Sequence, residues 1–301
     1  MIDISTNIAS LKLENPTILA SGILDETAGS MISILENGAA AVVTKSIGLK
    51  PRKGYPNPTI IELEYGILNA MGLPNPGIKE YREEIIEVKR NGGIIIGSIF
   101  GSTPEEFISL AEKMESYGVN ALELNLSCPH ASGYGLEVGQ DRKLVKTIVE
   151  EVKNSVHIPV FAKISSNLSD ISSIAKAIID GDADGIVAIN TVKAMTIDLE
   201  LQKPILSNKI GGYSGRAIKP IGVRCVYEIT EEYSIPVIGV GGIVSGEDAL
   251  EYIMAGASAV EIGSGIYYRG VDIFKKICRE IESWMELHNY RNIKDLIGVA
   301  H

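Results

Sequence analysis

The chain has 301 residues, 45% of them hydrophobic and 22% charged, the balance of a globular protein with a sizeable core and not of a disordered chain. Lys and Arg total 28 against 38 Asp and Glu, a formal charge of −10, which excludes the basic footprint that nucleic acid or an anionic membrane surface demands. No apolar run reaches the roughly 18–20 residues of a membrane span, and the opening Met1-Ile2-Asp3-Ile4-Ser5 shows no signal peptide.

In chain order, the expected elements begin with a hairpin of Ile2–Ile4 and Leu11–Leu13. Eight short apolar runs follow, near residues 17–20, 41–44, 94–98, 121–125, 160–164, 185–189, 237–240 and 259–262. A recurring phrase introduces several of them, as in Gly38-Ala39-Ala40-Ala41-Val42-Val43-Thr44 and Gly256-Ala257-Ser258-Ala259-Val260-Glu261-Ile262. Continuous apolar runs of this length suit strands buried on both faces. Helical spacing fills the intervals Pro104 to Tyr117, Asp170 to Asp180, Pro220 to Tyr233 and Gly246 to Ala255, the first with Ser102 or Thr103 as N-cap and Gly118 closing it. Eight βα units in about 250 residues is the arithmetic of a TIM (β/α)8 barrel. A doubly wound sheet is the rival, with fewer strands and a Gly-rich first turn. The expected fold class is therefore α/β, a barrel with an N-terminal β-hairpin, in one domain spanning 1–301. Long connections from Lys45 to about Pro76 and from Thr191 to about Lys219, with a shorter one from Leu126 to Gln140, are expected over the C-terminal mouth.

The strand ends carry Ser21, Lys45, Ser98, Asn125, Lys163, Asn190, Gly241 and Gly263. Each alone reads first as a surface loop residue. Lys45 and Lys163 are harder to dismiss, because Lys directly after an apolar run is costly to bury without a task. Gly241-Gly242 and Gly263-Ser264-Gly265 follow the last two strands, where TIM barrels often hold phosphate; plain turn glycine is the alternative. Neither matches a dinucleotide fingerprint. Cys128 follows Asn125-Leu126-Ser127 and precedes Pro129, which places it on a mouth loop. Cys225 and Cys278 fall in helical patterns and read as packing residues. Three cysteines with no Cys-x-x-Cys pair read as a reducing, cytoplasmic setting. Cys128 with His130 supplies too few ligands for zinc, and a Cys nucleophile for peptide hydrolysis leaves the glycines and lysines unexplained.

The ordered set Ala20-Ser21-Gly22, Thr44-Lys45-Ser46, Asn69-Ala70-Met71-Gly72-Leu73-Pro74-Asn75-Pro76-Gly77, Asn125-Leu126-Ser127-Cys128-Pro129-His130, Lys163, Ile189-Asn190-Thr191, Gly211-Gly212-Tyr213-Ser214-Gly215, Gly241-Gly242-Ile243 and Gly263-Ser264 resembles class 1 dihydroorotate dehydrogenases over essentially the whole chain. The resemblance implies one FMN per chain, its phosphate on Gly215, Gly241, Gly242, Gly263 and Ser264. It implies a flavin ring over Ala20, Ser21 and Ser46, with Lys45, Ser98, Asn125 and Ile189 also at the flavin. Lys163 is implied at the pyrimidine edge of the flavin, as fixed positive charge. Orotate is implied against Lys45, Asn69, Ala70, Met71, Gly72, Leu73, Asn125, Ser127, Asn190 and Thr191. Cys128 is implied as the general base at C5 of dihydroorotate while hydride leaves C6.

Two departures stand out. Ser98 occupies a position where the family commonly places a flavin-contacting Asn, and His130 stands where some members carry Asn. The segment Ala131 to Asp141 is more similar to the NAD-linked type B than to the fumarate-using type A. Type B implies an electron-transfer subunit carrying FAD and a 2Fe-2S cluster, around a homodimer core within a heterotetramer. Three scattered cysteines do not supply the four ligands of such a cluster, so it belongs on another chain. Two alternatives remain open: a flavin barrel reducing uracil or thymine, and a phosphate-binding scaffold without redox activity.

Overall fold

The computed structural model describes residues 2–126, 139–167 and 170–301. Its strands are β1 (Thr6–Ile8), β2 (Leu11–Leu13), β3 (Thr17–Leu19), β4 (Ala41–Val43), β5 (Ile60–Leu63), β6 (Gly66–Asn69), β7 (Ile95–Ile99) and β8 (Ala121–Asn125). They continue as β9 (Val160–Ser165), β10 (Gly185–Asn190), β11 (Val192–Ala194), β12 (Ile197–Asp198), β13 (Lys203–Pro204), β14 (Gly211–Ser214), β15 (Val237–Val240) and β16 (Ala257–Ile262). Eight of these close a parallel barrel in the order β3-β4-β7-β8-β9-β10-β15-β16 and back to β3, so the fold is a TIM barrel and the doubly wound alternative falls. Every one of the eight lies within two residues of its expected run.

Local chemistry sets the helices between them. In Pro104–Tyr117, Thr103 caps the start by accepting from the Glu106 N–H, and Gly118 ends it in the left-handed region at φ 95°. Ser245 and Asp248 form a capping box at the start of Gly246–Met254. Asp170 caps Ile171–Asp180 through the Ser173 N–H. Each helix turns an apolar stripe onto the barrel; Phe107, Leu110, Ala111 and Met114 are examples.

Alternation along the strands separates two faces. Ile18, Ala41, Val43, Ile96, Ala121, Phe161, Val187, Ile238 and Ala259 pack together inside the barrel. The N-terminal hairpin adds Ile8, Leu11 and Leu13 to this cluster. Its first strand is Thr6–Ile8, with Thr6 opposite Leu13 and Ile8 opposite Leu11, a correction to the expected Ile2–Ile4. The reason is the short turn at Ala9-Ser10, which pairs the nearest residues; Asp3 instead bridges to Asn292.

The two long connections are not loops throughout. They supply β5, β6, β11 and β14, which form a four-stranded antiparallel sheet in the order β11-β14-β6-β5. This sheet places Asn69 opposite both Ile60 and Gly212. No described helix is long and apolar enough to cross a membrane.

Candidate active site at the barrel mouth

One step of two residues beyond the apolar interior layer, the same strand faces carry polar side chains. Val43 is followed by Lys45, Ile96 by Ser98, Ala121 by Glu123, Phe161 by Lys163 and Ala259 by Glu261. All five are buried. They form the floor and lower wall of the mouth, beneath a cavity of about 380 Å³, within the range that holds a cofactor or small ligand.

The floor is organised around Lys163. Its ammonium donates to Glu123 Oε2 at 3.1 Å, from the neighbouring strand, and to Glu261 Oε2 at 2.8 Å, from across the barrel. Burial alone would lower the Lys163 pKa, but the two carboxylates outweigh it and raise it. Lys163 is therefore a fixed positive charge. Glu123 Oε1 accepts from the Ser98 hydroxyl at 2.9 Å, the Ser98 and Ser46 hydroxyls lie 2.9 Å apart, and Asn125 Nδ2 donates to Ser46 Oγ at 3.0 Å.

At the rim, the Lys45 ammonium lies 3.1 Å from Glu26, whose side chain is 66% exposed. Asp25 is wholly buried, and burial raises its pKa despite the opposing Lys45 charge. Its Oδ2 accepts the Gly22 N–H at 2.5 Å and its carbonyl accepts the Lys45 N–H at 3.2 Å. The Ser21-Gly22 turn and Lys45 are thus tied to one residue. On the opposite side, Thr191 donates its N–H to Asn190 Oδ1 at 2.7 Å.

Gly215, Gly241 and Gly242 all have positive φ, at 105°, 126° and 69°. A Cβ on Gly242 would sit 2.8 Å from the Gly215 carbonyl oxygen and 2.9 Å from the Lys219 backbone nitrogen. Two glycine turns separated in sequence therefore meet. Gly263 closes the group from the end of β16, where a Cβ would find only Ala20 at 3.5 Å.

Of the sequence-derived candidates, Ala20, Ser21, Lys45, Ser46, Asn69, Met71, Gly72, Leu73, Asn125, Lys163, Ile189, Asn190, Thr191, Gly241, Gly242, Gly263 and Ser264 line the one cavity. Ala70, Ser98 and Gly215 do not line it; Ala70 and Ser98 are fully buried, and Ser98 is occupied with Ser46 and Glu123. Ser127, Cys128, His130 and the 131–138 segment lie outside the described residues. Cys225 and Cys278 have thiols pushed up to about 11 by burial, which suits packing and not reactivity. Glu123 and Glu261 were missed by sequence reasoning. Their signal was present: a lone carboxylate inside an otherwise apolar buried strand needs a buried cation.

Fold and site together define a (β/α)8 barrel with a capped ligand cavity at its C-terminal mouth, the face where such barrels carry their chemistry. A family model described as Dihydroorotate dehydrogenase matches residues 3–285, and the chain belongs to that family. The chain is 54% identical over 302 residues to a dihydroorotate dehydrogenase B (NAD(+)) catalytic subunit of Methanocaldococcus jannaschii, covering 99% of this chain and 98% of the relative. It is 53% identical over 300 residues to the like-named subunit of Thermoplasma acidophilum, covering 100% and 99%. In fold it is similar to a dihydroorotate dehydrogenase of Eimeria tenella crystallised with ferulenol, at TM-score 0.87 and 24% identity over 99% of this chain and 89% of that one.

Proposed function

We propose that this chain is the catalytic subunit of an NAD-linked dihydroorotate dehydrogenase, one FMN-binding barrel over 1–301, oxidising (S)-dihydroorotate to orotate in pyrimidine synthesis. The observation that carries the reading is the buried Lys163, held between Glu123 and Glu261 on the floor of a cavity whose wall includes Lys45, Asn125 and Asn190. The residues fit a flavin. The cavity has the Lys163 ammonium on its floor, apolar walls at Ile60, Ile67 and Ile189, and a far end where the Gly241-Gly242 turn meets Gly215.

When bound, FMN supplies the acceptor for the hydride from C6 of dihydroorotate. Lys163 holds a permanent positive charge where negative charge develops, a preorganised stabilisation that requires no rearrangement during reaction. Lys45 faces the substrate carboxylate. Its present partner Glu26 is mostly exposed, and a solvated carboxylate holds a lysine weakly. Asn69, Asn125, Asn190 and Thr191 orient the imide by offering both donors and acceptors. The Met71-Gly72-Leu73 backbone adds contacts beside them. Cys128, as thiolate, would be the base for the C5 proton, and Ser127 a further candidate substrate contact; both lie outside the described residues. A second subunit carrying FAD and a 2Fe-2S cluster, in a heterotetramer around a homodimer, would supply the exit for the electrons, and a thiol base fits a reducing, cytoplasmic setting.

Anaerobic titration tests this directly. A yellow protein bleached by dihydroorotate and reoxidised by NAD only when the partner is added supports the reading. A colourless protein that FMN does not restore counts against it, as does full NAD activity of the isolated chain.

A further inference from the structure

The three ionisable side chains on the cavity floor do not balance. Glu123, Lys163 and Glu261 are 0%, 5% and 1% exposed, so two carboxylates and one ammonium would leave a net negative charge with almost no water to solvate it. A group in that position neutralises by taking up a proton. The two carboxylates are not equivalent. Glu123 uses both oxygens, Oε1 toward Ser98 and Oε2 toward Lys163. Glu261 uses one: Oε2 accepts from Lys163, while Oε1 is buried and has no partner among the described residues. An ionised oxygen without a donor is the worst placed of the four, and protonation turns it into a donor.

We propose that Glu261 is a positioning residue that holds a proton at neutral pH, so that the Glu123–Lys163–Glu261 triad is neutral and not negative, and its lysine is opposed by one carboxylate in place of two. With Glu261 ionised, the floor carries a net negative charge and repels the anion that Lys163 is placed to receive. Burial is the main cause lifting the Glu261 carboxyl, to about 8, with the Glu123 charge adding and Lys163 opposing. Among the described residues, the charged groups that act on it most are those two. Its strand neighbours β3 (Thr17-Ile18-Leu19) and β15 (Val237 to Val240) carry none, and the helix Gly246–Met254 packs on the outer face of the barrel wall. The third hydrogen of the Lys163 ammonium has no partner among the described residues, and Lys163 and Glu261 both line the cavity.

The consequence for catalysis rests on the flavin reading above; the proton itself does not. The first test is therefore made on the full chain without flavin, labelled with ¹³C at glutamate carboxyls and titrated by NMR. The expected result is one carboxyl resonance with its midpoint near pH 8, absent in Glu261→Gln and retained, at lower pH, in Glu123→Gln. Every carboxyl titrating in the ordinary range, or an alkaline resonance that survives Glu261→Gln, overturns the proposal, and the wild-type titration decides even if a variant does not fold. The second test uses the FMN-loaded chain. The pH profile of the flavin midpoint potential should bend near pH 8 in the wild type and lose that bend in Glu261→Gln; the same bend in both overturns the positioning role. Failure of FMN to load sinks the flavin reading while leaving the flavin-free titration to decide this one.

Discussion

The Ser98 hydroxyl donates to Glu123 Oε1 at 2.9 Å from the neighbouring barrel strand. Ser98 is fully buried behind Ser46, so its work is done inside the protein wall. It satisfies one oxygen of the carboxylate whose other oxygen holds Lys163. Ser98→Ala leaves Glu123 Oε1 buried and without that donor, which costs roughly 1–3 kcal/mol. Urea unfolding should show this loss, and an unchanged midpoint would mean the hydroxyl contributes nothing to the floor.

The barrel was legible because its strands are buried on both faces and so read as unbroken apolar runs. Val42-Val43 and Ile186-Val187 are β-branched, sit in short runs and follow a glycine closely, which favours strand over buried helix. The sheet over the mouth was not legible. Its strand Gly211-Gly212-Tyr213-Ser214 has little strand propensity and is held by pairing with Ile67, Leu68 and Asn69, which lie over 140 residues earlier. Lys163 was visible as a cation after an apolar run, yet its pairing with two particular carboxylates was not. Glu123 and Glu261 sit within such runs, and their meaning depends on which way the strand face points, a fact set by barrel closure.

Stability should fall as pH rises through the near-neutral range. The Glu261 carboxyl has an ordinary value of 4.5 in the unfolded chain and about 8 in the folded one. Between those values the folded state binds the additional proton, so raising pH favours unfolding. Below that window both states are protonated, and above it both are ionised, so the loss levels off. Buried Asp25, also raised, acts with the same sign at the acid side. Lys163, raised as well, keeps its contribution until strongly alkaline pH. Denaturation midpoints collected from pH 5 to 9 should slope downward in the wild type and more gently in Glu261→Gln. Parallel slopes would assign the effect elsewhere.

Cys128→Ser should keep its bound flavin and lose about 10²–10⁴-fold in turnover at neutral pH, the span that a positioned general base contributes. A hydroxyl is a far poorer base near pH 7 than a thiol, so activity should partly recover as pH rises. Rapid-mixing reduction by dihydroorotate checks this, because it isolates the half-reaction in which the C5 proton leaves. Equal rates in the two proteins would remove Cys128 from the chemistry.

The glycine turns make the most discriminating comparison. Gly242→Ala introduces a Cβ 2.8 Å from the Gly215 carbonyl oxygen and 2.9 Å from the Lys219 backbone nitrogen, at φ 69°. Both obstacles are backbone atoms and neither can swing aside, so the two turns must separate. Gly92→Ala carries a similar conformational penalty at φ 77°, of about 1–2 kcal/mol, but its Cβ meets nothing within 4 Å and it lies at a helix end. The two variants therefore share strain and differ in location. Both should melt at lower temperature, while only Gly242→Ala should lose FMN affinity, by about tenfold or more if one phosphate contact worth about 1.4 kcal/mol is forfeited. Quenching of FMN fluorescence on binding measures it. If both variants bind FMN equally well, the phosphate does not sit where the Gly241-Gly242 turn meets Gly215.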